Sequence, residues 1–199
     1  MKVFGLTGGI ASGKSTVAAI LIEHGVPIVD ADKLYHDLIA PVDGGPSALA
    51  KQIETAFPGV LLGDGTINRP LLGSQVFGNP EALKTLGTIT HPAVGASFMQ
   101  SVQALQQSGE PIAIYDVPLL YERGMQDMLA GVAVVWVPKA TQLERLMARD
   151  GLSVEAAQSR LDSQLSLDEK KDKATWVIDN SGSVAETAKQ VSAWLGSIR

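Results

Sequence analysis

The stretch Gly8-Gly9-Ile10-Ala11-Ser12-Gly13-Lys14-Ser15 is the most informative feature of this chain. It fits the pattern G-x-x-x-x-G-K-[ST], in which glycines let successive backbone N–H groups point at phosphate oxygens. The apolar segment Lys2–Thr7 predicts a strand before the stretch, and apolar residues at helical spacing predict a helix from Lys14 to His24 after it. A strand, a glycine-rich turn and a helix in this order predict a nucleotide-binding phosphate loop.

The residue types within the loop have distinct expected tasks. Lys14 would reach the β- and γ-phosphates, and the hydroxyl of Ser15 would bind Mg²⁺. Thr16 can add a contact to the α-phosphate, and the N-terminus of the helix contributes its positive dipole end. The phosphate-binding residues expected from the sequence are Gly8, Gly9, Ile10, Ala11, Ser12, Gly13, Lys14, Ser15 and Thr16, with Mg²⁺ as the cofactor.

Predicted strands alternate with predicted helices along the chain. This alternation is typical of a parallel sheet covered on both faces, so we expect a three-layer α/β fold with five strands, the P-loop NTPase fold. After the first strand, the others are expected at Val26–Val29, Ile112–Val117, Val132–Val137 and Trp176–Ile178.

Two helices are expected in succession before the third strand. Asn79 followed by Pro80 is a good helix start, and Pro92 is expected to begin a further helix that reaches Gln107. Residues 145–173 are rich in charge and contain no predicted strand, which suits a mobile helical lid; a solvated surface bundle is the alternative. Helices are also expected at about 139–150, 154–165, 168–174 and 184–195.

The composition excludes several classes of function. The 199 residues carry a net charge of −5, which disfavours a broad nucleic-acid surface because such surfaces depend on lysine and arginine contacts. There is no cysteine, and His24, His36 and His91 lack the spacing of metal ligands. No apolar run suits a membrane span and no leader is visible, so we expect a cytoplasmic protein without a membrane partner.

Two carboxylates follow the second predicted strand. Ligands of open parallel sheets bind at the carboxyl ends of the strands, where the phosphate loop also lies. Asp32 could accept or orient the proton of a substrate hydroxyl. Asp30 could do the same, although a helix N-cap is the more ordinary role for it.

Two arginines and a third carboxylate complete the set of candidates. Arg145 and Arg149 are four residues apart on a predicted helix, so both could face a polyphosphate; pairing with Glu144 and Asp150 on the surface is the alternative. Asp116, near the end of the third strand, could hold Mg²⁺ through water or could be a simple strand-end polar residue.

Taken together, these residues resemble the dephospho-coenzyme A kinase family, in order and spacing, over nearly the whole chain. The matching pieces are Gly5 to Ser15, Asp30-Ala31-Asp32, Asn68-Arg69, Val76-Phe77, His91-Pro92, Pro118 to Glu122, Gln142, Arg145, Arg149-Asp150, Arg160, Gln164 and Val177 to Asn180.

The resemblance implies that ATP phosphorylates the 3′-hydroxyl of the ribose of dephospho-coenzyme A, giving coenzyme A and ADP. It implies Asp32 as the catalytic base, Lys14 and Arg145 as further catalytic residues, and Arg149 and Asn180 as ATP-binding residues. The acceptor region would be lined by Asp32, Arg69, His91, Tyr121 and Glu122.

The same resemblance suggests how one kinase domain, residues 1–199, is divided. The core would be 1–39, 110–144 and 174–199, with an acceptor-binding helical region at about 40–109 and a lid at about 145–173. The small-molecule partners would be ATP and dephospho-coenzyme A, and the protein is expected to be a monomer or a weak homo-oligomer.

Two positions depart from the family pattern. Ala11 stands where many members have glycine, and its side chain should fit if φ there is negative. Thr175-Trp176 replaces an Ala-Asp-type approach to the last strand.

Two other functions stay open. They are another small-molecule P-loop kinase, acting on a nucleoside monophosphate or a sugar-like acceptor, and a nucleotide-dependent switch protein.

Overall fold

The computed structural model describes residues 1–199. The chain forms two compact units, one made of Met1–Val29 with Ala104–Arg199 and the other of Asp30–Gln103. The helices are α1 (Lys14–Glu23), α2 (Ala31–Ile39), α3 (Ala48–Ala56), α4 (Arg69–Val76), α5 (Pro80–Gln107), α6 (Lys139–Asp150), α7 (Val154–Leu161), α8 (Leu167–Asp172) and α9 (Val184–Ile198).

A five-stranded sheet organises the first unit, and its strand order is β2-β3-β1-β4-β5. Pairs β1–β3, β1–β4 and β4–β5 are parallel. The central position of β1 follows from its apolar sequence, since a strand with neighbours on both sides and helices on both faces is fully buried. The strands are β1 (Lys2–Gly8), β2 (Ile28–Asp30), β3 (Ile112–Asp116), β4 (Val132–Trp136) and β5 (Trp176–Asp179).

The core of this unit lies between the sheet and helices α1 and α9. Leu6 of β1 and Leu21 of α1 are completely buried there, together with Val191 of α9. Trp194 packs at 6.1 Å, centroid to centroid, from Trp176 at the start of β5. The phosphate-loop strand and the helix that follows it are therefore fixed by a closely packed, buried core.

The second unit has a separate hydrophobic cluster built from amphipathic helices. Asp30 and Ser47 cap α2 and α3 with their side chains, and Asn68 caps α4. The buried members of the cluster are Ile39, Leu49, Ala50, Ile53, Phe57, Val60, Ile67, Leu72 and Val76.

The structure confirms the α/β class, the five parallel strands and the helix start at Pro80. Differences at the ends of elements are small: β2 begins at Ile28 rather than Val26, and α7 ends at Leu161 rather than Leu165. None of the helices combines the length and the apolar character needed to cross a bilayer.

The prediction that Pro92 begins a helix is wrong. Pro92 lies inside α5, which runs without interruption from Pro80 to Gln107. A proline there removes one N–H donor and usually ends or kinks a helix. Ile89 and Ala93, on either side of it, pack against the same buried cluster. Tertiary packing on both sides of Pro92 therefore outweighs the local preference of the proline.

Candidate active site

The phosphate loop lies where the sequence predicts it, between the end of β1 and the start of α1. Gly13 occupies the N-cap position of α1 with φ of 84°, a left-handed conformation that favours glycine. No side chain caps α1, and its first turn has no acidic residue. Helices α8 and α9, in contrast, begin with closed capping boxes. The positive end of α1 is therefore left for an external anion.

Side chains from elsewhere in the first unit bind the peptide groups of the loop. The carbonyl oxygen of Ile10 accepts a hydrogen bond from Nε2 of Gln142 at 2.7 Å, and its N–H donates to Oε1 of Gln164 at 3.1 Å. Asn180 donates from Nδ2 to the carbonyl oxygen of Ser12 at 2.9 Å. Carbonyl oxygens held in this way point into the protein, which orients the loop for binding anions through N–H groups.

Asn180 supports the loop from inside the protein. Its amide is 6% exposed, and Oδ1 accepts a hydrogen bond from Thr187 in α9 at 2.8 Å. A Cβ atom at Gly13 would overlap with Nδ2 of Asn180, so this amide also requires glycine at the N-cap. The contact between Asn180 and ATP stays a prediction, and no sequence pattern indicated this supporting role.

The condition under which the side chain of Ala11 was expected to fit, a negative φ, is not met. Ala11 has φ of 59°, in the left-handed region. A β-carbon in that region crowds the following carbonyl oxygen, at a cost of about 1–2 kcal/mol. The methyl group packs at the edge of a small apolar cluster around Leu146, which offsets part of that cost.

Lys14 and Asp116 form an ion pair beside the loop. Asp116 ends β3 and is 3% exposed, and the sheet register places it opposite Leu6 of β1. Ser15 is exposed, and its hydroxyl makes no hydrogen bond within the protein. A hydroxyl and a carboxylate are oxygen ligands of the kind that Mg²⁺ prefers, so the residues present fit this ion.

The two predicted nucleotide arginines differ in their surroundings. Arg145 is half-buried and donates from Nη2 to the backbone oxygen of Asn180 at 3.1 Å. Arg149 is exposed and pairs with Asp150, 2.7 Å from Nε to Oδ1. Arg160 pairs with the same carboxylate at 2.7 Å. The hydrogen bond from Arg149 lowers the pKa of Asp150, and the charge of Arg160 acts in the same direction. Surface pairing, the alternative for these arginines, is thus observed for Arg149.

Asp30 and Asp32 have different roles in the second unit. Oδ1 of Asp30 accepts hydrogen bonds from the N–H groups of Asp32 and Lys33, at 2.8 and 3.0 Å. Asp30 is therefore the N-cap of α2. The side chain of Asp32 is exposed and makes no hydrogen bond or ion pair. Its carboxylate is available to a substrate hydroxyl.

Two predicted acceptor residues of this unit are also exposed. Arg69 begins α4, and burial raises the pKa of Tyr35 while the nearby charge of Arg69 opposes that rise. His91 lies in α5, and its ring leaves no room for a side chain at Gly87, one turn earlier. Their contacts with an acceptor stay predictions.

Tyr121 and Glu122 follow β3 and bind the segment around α8. The Tyr121 hydroxyl donates to the backbone oxygen of Lys173 at 3.0 Å, and burial raises its pKa, which keeps it a donor at neutral pH. Glu122 accepts from the N–H of Leu165 at 3.0 Å and pairs with Lys170. Both polar groups are therefore used within the protein, and their proposed contacts with an acceptor stay predictions.

The arrangement resembles that of known kinases. A family model for dephospho-CoA kinase matches residues 2–186. Dephospho-CoA kinase of Anaeromyxobacter dehalogenans is 45% identical over 199 residues, covering 100% of this chain and 93% of that protein. The enzyme of Bacillus licheniformis is 46% identical over 189 residues, covering 95% and 92%.

Solved structures agree with the sequence matches. Dephospho-CoA kinase from Campylobacter jejuni is 33% identical with a TM-score of 0.65, covering 99% of this chain and 97% of that chain. A Thermus thermophilus protein is 34% identical with a TM-score of 0.85, covering 100% and 98%. Shikimate kinase from Acinetobacter baumannii, 18% identical with a TM-score of 0.54, shares the fold. The chain belongs to the dephospho-CoA kinase family.

Proposed function

We propose that this protein transfers the γ-phosphoryl group of ATP to the 3′-hydroxyl of the ribose of dephospho-coenzyme A, giving coenzyme A and ADP. This reaction is the final step of coenzyme A synthesis. The observation that carries the proposal is the family match over residues 2–186, together with an intact phosphate loop whose helix has no cap of its own.

The ATP phosphates would bind along the loop from Gly8 to Thr16. The uncapped N-terminus of α1 supplies N–H donors, and the carbonyl oxygens of Ile10 and Ser12 are already bonded within the protein. Lys14 would move from Asp116 towards the β- and γ-phosphates, which carry more negative charge than one carboxylate. Phosphoryl transfer depends mainly on positioning and charge stabilisation, and this loop supplies both.

Ser15 would hold Mg²⁺ directly, and Asp116 would hold it through water. The bound ion would neutralise charge that develops on the phosphate oxygens. Mg²⁺ would then replace Lys14 as the cation beside the buried carboxylate of Asp116.

Arg145 and Arg149 would stabilise the charge of the transferring group from the proposed lid, residues 145–173. Arg145 already lies at the backbone of Asn180, which itself contacts the loop. Arg149 would have to leave Asp150, whose carboxylate would keep Arg160 as a partner at 2.7 Å. Asn180 contributes from beneath the loop.

Asp32 would act as the general base for the 3′-hydroxyl. Its carboxylate has no partner within the protein, whereas that of Asp30 is used to cap α2. The acceptor itself would be bound by the helical region at about 40–109, where Arg69 and His91 offer a charge and a ring on the surface. Tyr121 and Glu122 are the further residues that we assign to acceptor binding.

A panel of acceptors tests the assignment of substrate. Dephospho-coenzyme A, a nucleoside monophosphate, shikimate and gluconate are each mixed with ATP, Mg²⁺ and the protein, and ADP release is measured. We expect rapid release with dephospho-coenzyme A alone. Faster release with another acceptor would favour a different small-molecule kinase, and release that no acceptor stimulates would favour a nucleotide switch.

A further inference from the structure

Helix α8 buries a lysine completely. Lys170 is 0% exposed, and lysine side chains are almost never fully buried unless they are paired. Its ammonium lies 3.2 Å from the carbonyl oxygen of Gly8, 3.0 Å from that of Pro118 and 2.8 Å from Oε1 of Glu122. An ammonium has three donors, so all of them are used and none is left for a ligand.

The acceptors of this ammonium lie at the entrance to the phosphate loop. Gly8 is the last residue of β1 and the first of the loop, while Pro118 follows β3 two residues after Asp116. The hydroxyl of Thr7 donates to the same carbonyl oxygen of Pro118 at 3.1 Å. Lys170 therefore connects the first residue of the phosphate loop, Gly8, to the turn at Pro118. This turn follows Asp116, the residue that pairs with Lys14.

The position of Lys170 is itself fixed from several directions. Ser166 and Glu169 form a reciprocal capping box at the start of α8. Leu167 is buried and would contact any side chain placed at Gly9. At the other end, the hydroxyl of Tyr121 holds the backbone of Lys173. A donor on such a restrained helix can set the position of its acceptors at little cost in entropy.

We infer that Lys170 is a positioning residue for ATP binding, which acts by fixing the carbonyl oxygen of Gly8 and the turn at Pro118. It does not touch the phosphates. Because the C=O and N–H of a trans peptide point in opposite directions, a Gly8 carbonyl held inward directs the N–H of Gly9 away from Lys170 and towards the proposed nucleotide. The inference rests on the proposed ATP site and adds a residue to it.

Lys170→Met is the principal test, because methionine keeps the length of the side chain and removes the three donors. Glu122 would then be an unpaired and largely buried carboxylate, so the variant also loses stability. The double variant Lys170→Met/Glu122→Gln removes that charge and restores much of the stability, while the carbonyl of Gly8 stays without its donor. Lys173→Met, a change of the same type at an exposed position close by, is the matched control.

The readouts are the Kd of ATP without acceptor, measured by calorimetry well below each Tm, and the KM values of the single variant. We expect about tenfold weaker ATP binding in both Lys170 variants, because a lost buried hydrogen bond to a charged donor has an effect of this order. The KM for ATP should rise in Lys170→Met and should stay at the wild-type value in Lys173→Met.

Wild-type ATP affinity in the folded double variant would overturn the inference. An equal loss of ATP affinity in Lys173→Met would also overturn it. A wild-type protein that binds no ATP would instead contradict the proposed function. If Lys170→Met does not fold, the double variant alone decides.

Discussion

Asn180, at the end of β5, donates a hydrogen bond of 2.9 Å to the carbonyl oxygen of Ser12, 168 residues earlier in the chain. The other end of the same amide accepts from Thr187 at 2.8 Å, so the loop is joined to the start of α9 through one side chain. The backbone oxygen of Asn180 accepts from Arg145. One residue thus connects the phosphate loop, the last helix and a candidate catalytic arginine.

Asn180→Ala should weaken both folding and ATP binding. It leaves the carbonyl of Ser12 without its donor, which costs about 1–3 kcal/mol, while the hydroxyl of Thr187 keeps the backbone oxygen of Ser183 at 3.3 Å. Urea denaturation should show the loss in the free energy of unfolding, and calorimetry should show weaker ATP binding. Ser181→Ala, at the exposed neighbouring position, should change neither quantity. Unchanged ATP binding in Asn180→Ala would show that the loop holds its shape without this amide.

Ala11→Gly should stabilise the protein by about 1 kcal/mol, because glycine adopts a φ of 59° without crowding a β-carbon. The change in the urea midpoint measures it. Ala19→Gly provides a control of opposite sign, since Ala19 is exposed inside α1 and glycine there should destabilise by about 1 kcal/mol. A loss of stability in Ala11→Gly would mean that the packing of the methyl group outweighs the backbone strain.

Ser12→Ala should leave the free energy of unfolding unchanged or raise it. The hydroxyl of Ser12 is buried and has no hydrogen-bond partner, so its removal relieves an uncompensated polar group. Thr7→Val is the matched comparison: it removes a buried hydroxyl that does have a partner, the carbonyl of Pro118, and should cost about 1 kcal/mol. Thermal unfolding of both variants measures the two changes in stability. Equal losses of stability in Ser12→Ala and Thr7→Val would contradict this prediction.

Asp32→Asn should lower kcat by about 100-fold or more while the Kd of ATP is retained. An amide of the same shape cannot take the proton of the 3′-hydroxyl. Asp37→Asn is the control, since Asp37 lies on the same helix, is exposed and pairs only with Lys33. Near-normal kcat in Asp32→Asn would remove this residue from the role of base.

The main features of the fold could be predicted from the sequence because its strands are short apolar runs and most of its helices begin with ordinary capping residues. The loop could be predicted because a glycine-rich turn leading into Lys14 and Ser15 has one common use. The prediction for Pro92 is wrong because it rests on the local preference of proline for helix starts. The packing of Ile89 and Ala93 keeps the helix continuous through Pro92.

The supporting residues of the site could not be predicted, for a physical reason. Lys170 stands in a run of charged residues, Asp168 to Lys173, that is typical of an exposed helix, and only its distant partners explain its burial. Asn180 and Gln142 act on loop carbonyl oxygens that lie far away in sequence. Such contacts between side chains and backbone leave no periodic pattern in the sequence.

Product analysis tests the central claim most directly. The protein is incubated with ATP, Mg²⁺ and dephospho-coenzyme A, and the products are identified by mass spectrometry and by phosphorus NMR. We predict that ADP forms in equal amount with coenzyme A, whose added phosphoryl group is on the 3′-oxygen of the ribose. ADP formation with dephospho-coenzyme A left unmodified, or a phosphoryl group on another oxygen, would contradict the account.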